Sequence, residues 1–236
     1  LSILSIVKLN ISLKLRQLLP AQPCVLCGSM NHEGLWCKNC NHSLPYLSAP
    51  HCPVCALPTL HGEICGHCLT KPPAFGHTVA VFDYRFPLDQ LIGQMKYHEQ
   101  LAIAQAFAEK LTQRIDRIHL PDFVIAMPLH PAKLRSRGFN QAQLLAVPLA
   151  DYFGISLLSN ACQRLRDTAS QTSLPWHQRH KNVRGAFSCD RNLSGTHVAL
   201  VDDVMTTGAS LNELASAVKK QGAKKISTWV VARAGK

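Results

Sequence analysis

Apolar positions change their spacing as the chain is read. In the first twenty residues Leu4, Val7, Ile11, Leu15 and Leu18 recur at helical intervals with Lys8, Lys14 and Arg16 among them. Leu9, Ile11, Leu13 and Leu15 also alternate, so a strand is the minority alternative. The charges inside the run argue against a secretory signal. An amphipathic segment is expected over 1–20, packed on its own domain or, alternatively, on a membrane or partner surface. Residues 21–73 carry a different regularity, set by cysteines. From His77 onward long apolar elements alternate. Residues 77–84 read as a strand. Residues 88–97 and 101–117 read as helices, with Leu101, Ile103, Ala104, Phe107, Ala108 and Leu111 on one face. Residues 123–127 form a short apolar strand followed by Pro128 and a basic loop. Residues 139–153 are helical, although Pro148 should end or kink that helix. A polar, basic stretch over 164–184 includes a short helix near Trp176. Then come a buried strand (197–201), a loop (202–207), a helix (208–221) and a last strand (225–231). Strands alternating with helices imply a parallel α/β sheet with its ligand site at the carboxyl ends of the strands.

The 236 residues are 47% hydrophobic, which supports a packed core and excludes a disordered or fibrous chain. No apolar run reaches the roughly 18–20 residues of a membrane helix, so no transmembrane segment is expected. Eight of ten cysteines lie between Cys24 and Cys68. Cys24, Cys27, Cys37 and Cys40 recur at Cys52, Cys55, Cys65 and Cys68, each displaced by 28 positions; Gly34 and Pro45 recur as Gly62 and Pro73. Every member belongs to a Cys-x-x-Cys pair, which fits metal binding in a reducing cytosol better than a disulfide framework. A tight Cys-x-x-Cys knuckle supplies two thiolates of a zinc tetrahedron, and two knuckles complete it. Four knuckles therefore suit two structural Zn²⁺ ions. Spacing alone allows sequential or crossed pairing of knuckles. His32, His42, His51, His61 and His67 lie nearby, but no sulfur is missing. Cys162 and Cys189 read as buried thiols.

Residues 198–210 read VALVDDVMTTGAS. Four apolar residues make a strand, two carboxylates follow it, and a small, hydroxyl-rich turn opens a helix. Free backbone N–H groups at such a helix start favour an anion. Asp202 and Asp203 suit vicinal sugar hydroxyls or a hydrated Mg²⁺ rather than a phosphate. The combination fits a ribose 5-phosphate. This stretch is similar to the 5-phosphoribosyl-1-pyrophosphate (PRPP) signature of type I phosphoribosyltransferases. The resemblance implies that Asp202 and Asp203 bind ribose hydroxyls, that Thr206, Thr207, Gly208, Ala209 and Ser210 hold the 5-phosphate, and that Mg²⁺ accompanies PRPP. It also implies a pyrophosphate loop and a mobile loop upstream. Residues 128–138, with Lys133, Arg135 and Arg137, and residues 164–184, with Arg164, Arg166, Arg179, Lys181 and Arg184, are the candidates.

Four cysteine pairs ahead of this domain, the string Arg137-Gly138-Phe139-Asn140-Gln141, and the later Arg164, Thr168, Gln171, Arg179, Asn182, Val183 and Phe187 together resemble the ComF competence family. The resemblance runs from about Cys24 to the C-terminus. It implies a type I phosphoribosyltransferase-like parallel sheet over 74–236, behind a double zinc-ribbon module over 21–73. It further implies single-stranded DNA handling during natural transformation, with competence-machinery proteins as partners. The alternative is an active phosphoribosyltransferase that moves phosphoribose from PRPP to a base or amine and releases pyrophosphate. Thr206 stands where 6-oxopurine enzymes of that superfamily carry Asp, which argues against such bases. Lys96 and His98, Trp176 and Phe139 are minor candidates for ligand contact.

Charge adds one constraint. The formal net charge is +11, and two Zn²⁺ on eight thiolates would lower it to +7. The first 75 residues hold five basic and two acidic side chains. Residues 133–191 hold nine basic side chains against three acidic ones. The basic excess thus lies around the expected anion site, not in the cysteine module.

Overall fold

Long-range strand pairing organises most of this chain. In the computed structural model, which describes residues 20–48, 50–97, 101–167 and 183–235, the chain divides into two units, residues 1–45 and 46–236. The expected N-terminal amphipathic segment up to residue 19, the short helix near Trp176, and His98, Thr168, Gln171, Arg179, Lys181 and Asn182 lie outside the described residues.

The first unit contains a two-residue antiparallel pair, β1 (Gln22–Pro23) with β2 (Met30–Asn31), and helix α1 (Lys38–Ser43). Asn31 shapes its turn: its Oδ1 accepts from the N–H groups of Glu33 at 2.9 Å and Gly34 at 3.2 Å. Buried Trp36 donates from Nε1 to Asn41 Oδ1 at 3.0 Å.

The second unit begins with helix α2 (Gly66–Thr70) and continues into β3 (His77–Asp83), α3 (Leu88–Tyr97) and α4 (Leu101–Thr112). It proceeds through β4 (Phe123–Ala126), α5 (Pro131–Arg137), α6 (Gln141–Phe153) and β5 (Ser156–Leu157). A hairpin of β6 (Cys162–Arg164) and β7 (Phe187–Cys189) precedes β8 (His197–Met205), α7 (Ala209–Lys220) and β9 (Lys225–Arg233). The sheet order is β3-β9-β8-β4-β5, with every pairing parallel. The two longest strands, β8 and β9, lie side by side near its centre, and their apolar residues are almost all buried, as expected of a sheet covered on both faces. No helix among the described residues is long and apolar enough to cross a membrane.

Four details differ from the sequence expectation. The stretch after Pro128 is partly helical: Pro131 occupies the first turn of α5, His130 Nδ1 accepts from Ala132 N–H at 3.3 Å, and Gly138 closes the helix at φ 82°. The acid pair lies inside β8, because that strand keeps pairing with β9 through Asp202–Val230 and on to Met205–Arg233. Helix α4 ends at Thr112, short of the expected 117. Pro148 does not end α6. An interior proline costs about 3 kcal/mol, but full burial of Leu145 and Leu149 returns about 1.5–3 kcal/mol each, so packing wins. Cys162 and Cys189 are both buried and face each other across the hairpin.

One tight approach makes a stability test. Gly222, between α7 and β9, has φ +92°, and a Cβ there would lie 2.9 Å from the Ser194 Cα. Gly154 also has positive φ, at +68°, but opens onto free space. Gly222→Ala should cost about 2–4 kcal/mol, from backbone strain plus overpacking, and Gly154→Ala only about 1 kcal/mol. Thermal unfolding of the two variants checks this; equal melting temperatures would show that the Ser194 turn yields.

Candidate functional site

The carboxyl ends of β8 and β4, the start of α7 and the face of α5 line one half-open cavity of about 340 Å³. Asp202, Asp203, Thr206, Gly208 and Ser210 line it from β8 and the turn into α7. Gly208 caps α7 with φ +78°, a conformation that suits glycine, and Thr207 Oγ1 accepts from Ala209 N–H at 3.2 Å. The turn therefore exposes part of a helix start to the cavity while Thr207 and Ala209 support it from behind; neither lines the space.

The opposite wall is cationic. Lys133 and Arg137 come from α5, one helical turn apart and on one side, and Arg164 comes from β6. The Arg137-Gly138-Phe139-Asn140-Gln141 string gains a local meaning here. Arg137 Nη1 donates to Gln141 Oε1 at 2.5 Å, which aims the guanidinium. Gly138 makes the left-handed turn between helices. Asn140 caps α6 by accepting from Ala142 N–H at 3.0 Å and donates from Nδ2 to the Met127 carbonyl at 3.0 Å, tying α6 to the end of β4. Burial draws the Lys133 ammonium and the Arg164 guanidinium below their ordinary pKa, and the mutual repulsion of the two cations adds to this for Lys133. Arg135 and Arg184 are exposed and do not line the cavity, and Arg179 lies outside the described residues.

The acid pair is held asymmetrically. Lys96, in the last turn of α3, places Nζ 2.7 Å from Asp203 Oδ2, with both side chains largely withdrawn from solvent. Burial opposes ionisation of Asp203, and the Lys96 ammonium outweighs it, holding this carboxyl below the usual range. Burial and the neighbouring Asp203 charge push the Asp202 carboxyl well above it. Asp202 Oδ1 accepts from the Asp203 N–H at 2.9 Å. With Asp203 already ion-paired to Lys96, and Lys133, Arg137 and Arg164 in the same lining, the pair does not fit a divalent cation. Tyr84, Ile92, Met127 and Leu129 are also in the lining; none of these stood out in the sequence.

The cysteines form two sequential tetrads, and crossed pairing is not what the fold adopts. In each set the four Sγ atoms lie within 4.8 Å of one another. Cys27 and Cys37 Sγ are 3.8 Å apart, and Cys55 and Cys65 Sγ 3.7 Å. A tetrahedral zinc thiolate with Zn–S of about 2.3 Å requires S···S of about 3.8 Å, so both sets fit the ion. The repeat extends to hydrogen bonds: Cys37 N–H donates to Cys24 Sγ, and Cys65 N–H to Cys52 Sγ, each at 3.4 Å. Zinc in such closed sites would be structural, held by four thiolates with no open position.

Buried Arg233, the last residue of β9, connects the second tetrad to the cavity. Its Nε donates to the Cys55 carbonyl at 2.6 Å, and its Nη1 donates to the carbonyls of Met205 at 2.9 Å, Ala234 at 2.5 Å, and Thr206. A basic residue ending the apolar strand segment WVVA was the only sequence signal for it. Two outcomes follow. The chain should carry two zinc equivalents by metal analysis, and Cys37→Ser should remove one. Arg233→Met should cost about 3–5 kcal/mol, because it strands buried carbonyls and the thiolate charge. That is roughly 10 °C in melting temperature; an unchanged melting curve would refute the linking role.

The family model of the double zinc ribbon domain matches residues 14–69, and that of the phosphoribosyl transferase domain matches residues 141–236. Over 220 residues the chain is 35% identical to the DNA utilization protein YhgH of Salmonella typhimurium, covering 89% of this chain and 96% of that one. It is 33% identical over 224 residues to competence protein F of Haemophilus influenzae, with coverage of 89% and 96%. To competence protein ComFC of Streptococcus pneumoniae it is 23% identical over 232 residues, with coverage of 89% and 99%. Paired cysteine tetrads ahead of a phosphoribosyltransferase-type parallel sheet, with identity sustained across nearly the full length of these relatives, place the chain in the ComF family of competence proteins.

Proposed function

We propose that this chain binds a phosphoribosyl ligand, PRPP or a nucleotide end, and handles single-stranded DNA during natural transformation. The observation that carries the reading is convergence on one cavity. The anion-favouring turn at Thr206–Ser210, the acid pair and the cations Lys133, Arg137 and Arg164 surround a single space of about 340 Å³, within the usual range of a small-molecule site. The 5-phosphate would sit at the α7 N-terminus, where Thr206, Gly208 and Ser210 face the cavity and Thr207 and Ala209 shape the turn. Asp202 and Asp203 would take the ribose hydroxyls. Lys133, Arg137 and Arg164 would take the pyrophosphate or the next phosphate of a strand. The names of the relatives, a DNA utilization protein and competence proteins, support the DNA half of the reading. Residues 21–73 would act as a zinc-ribbon module preceding the 74–236 domain in the chain, in the cytoplasm, with competence-machinery proteins as further partners.

A second reading, phosphoribosyl transfer to an acceptor base or amine, has one feature in its favour. Ile92, Met127, Leu129 and Leu211 give the cavity an apolar wall on which a base would rest. In that reading Mg²⁺ would come with PRPP rather than be held by the acid pair, which would keep its contact with Lys96. The cationic wall stabilises the charge of departing pyrophosphate.

Two measurements test the proposal. Asp202→Asn with Asp203→Asn should weaken PRPP binding at least tenfold in titration calorimetry; unchanged binding would remove the cavity from the proposal. Affinity for a single-stranded oligonucleotide should fall steeply with salt, by about 0.7 in the log–log slope for each phosphate neutralised. Its displacement by PRPP would show one shared surface. No oligonucleotide binding at low salt would end the DNA half, and pyrophosphate release with a panel of bases would establish the second reading.

A further inference from the structure

The cavity wall contains a cation that the phosphoribosyl reading does not use. Lys96 reaches Asp203 at 2.7 Å, and its side chain keeps only 22% exposure against 6% for the aspartate. Its position is fixed from behind. Leu91 and Met95 of the same helix are each about 1% exposed and do not line the cavity, so α3 is pinned to the core beside Lys96. The ammonium therefore stands beside the acid pair as a built part of the wall. A divalent cation approaching Asp203 would meet a like charge already seated on that carboxylate, and displacing it would leave an ammonium in the wall without its partner. The lining as a whole carries Lys96, Lys133, Arg137 and Arg164 against two carboxyls, so it has excess positive charge before any metal enters.

We infer that Lys96 takes the place of a divalent cation beside the acid pair, so that the cavity binds a phosphoribosyl anion without metal. The inference rests on the phosphoribosyl reading of the same cavity. Lys96 is a positioning residue here: it fixes Asp203 and neutralises it, leaving the Asp202–Asp203 edge to meet neutral hydroxyls while the opposite wall meets the phosphates. The ligand class is thus a sugar phosphate whose own charge is met entirely by side chains.

The test uses the full zinc-loaded chain and ribose 5-phosphate, which has no pyrophosphate to carry metal with it. Buffers are freed of Mg²⁺ by chelating resin before the protein is added, so that the zinc tetrads stay intact, and zinc content is checked afterwards. The wild type should bind with dissociation constants within twofold in the presence and absence of Mg²⁺. Lys96→Ala should lose at least tenfold without Mg²⁺ and recover most of it when Mg²⁺ is supplied, a rescue that a merely structural role would not give. Wild-type binding that requires Mg²⁺ would overturn the inference and leave the phosphoribosyl reading standing. Lys96→Ala binding as wild type without metal would overturn it equally. No binding by the wild type under either condition would remove the reading itself. If Lys96→Ala does not fold, Lys96→Gln keeps most of the stem and is read in the same way.

Discussion

The larger unit depends on one buried guanidinium. A cation without a partner in a protein interior is among the most costly groups a fold can hold. Arg233 is 3% exposed and persists because four carbonyls from three segments converge on it. Burial draws its pKa down, and the nearby cysteine sulfurs of Cys55, Cys68 and Cys65 oppose that. A zinc ion held by the four thiolates of the second tetrad would carry a net negative charge, and the guanidinium would then serve as its counter-ion. The second tetrad is therefore part of the same construction as the sheet. Thr78 at the start of β3 reinforces the joint: its N–H donates to the Pro53 carbonyl at 2.9 Å and its Oγ1 to the Val54 carbonyl at 2.5 Å. The carbonyls of Met205 and Thr206, which open the anion-favouring turn, are fixed by the same arginine that fixes the knuckle.

What the sequence shows directly is whatever is local. The 28-residue cysteine repeat specifies both tetrads because a knuckle is a short-range turn, and the shared hydrogen bonds from Cys37 and Cys65 confirm that the repeat is geometric as well as compositional. The apolar runs of β3, β4, β8 and β9 gave a parallel sheet for the same reason. The misplaced features are long-range. The end of β8 is decided by its partner β9, whose pairing carries the strand past the two aspartates. Whether Pro148 breaks α6 depends on how much of that helix is buried. Lys96 and Arg233 acquire their meaning mainly from residues more than twenty-five positions away, Asp203 in one case and Cys55, Met205 and Thr206 in the other. No pattern within a window of the chain marks such partners.

The basic excess divides along the same line between local pattern and fold. As sequence, residues 133–191 are one positively charged stretch. As structure, α5 turns Lys133 and Arg137 toward the cavity and leaves Arg135, between them, exposed. This is what a helix does with residues four apart and two apart. Arg164 in β6 faces the cavity, whereas Arg184 is exposed. A small anion and a polyanion thus have different residues available on the same elements. Inward cations suit a small ligand seated in the cavity; outward ones suit a strand that passes over the surface.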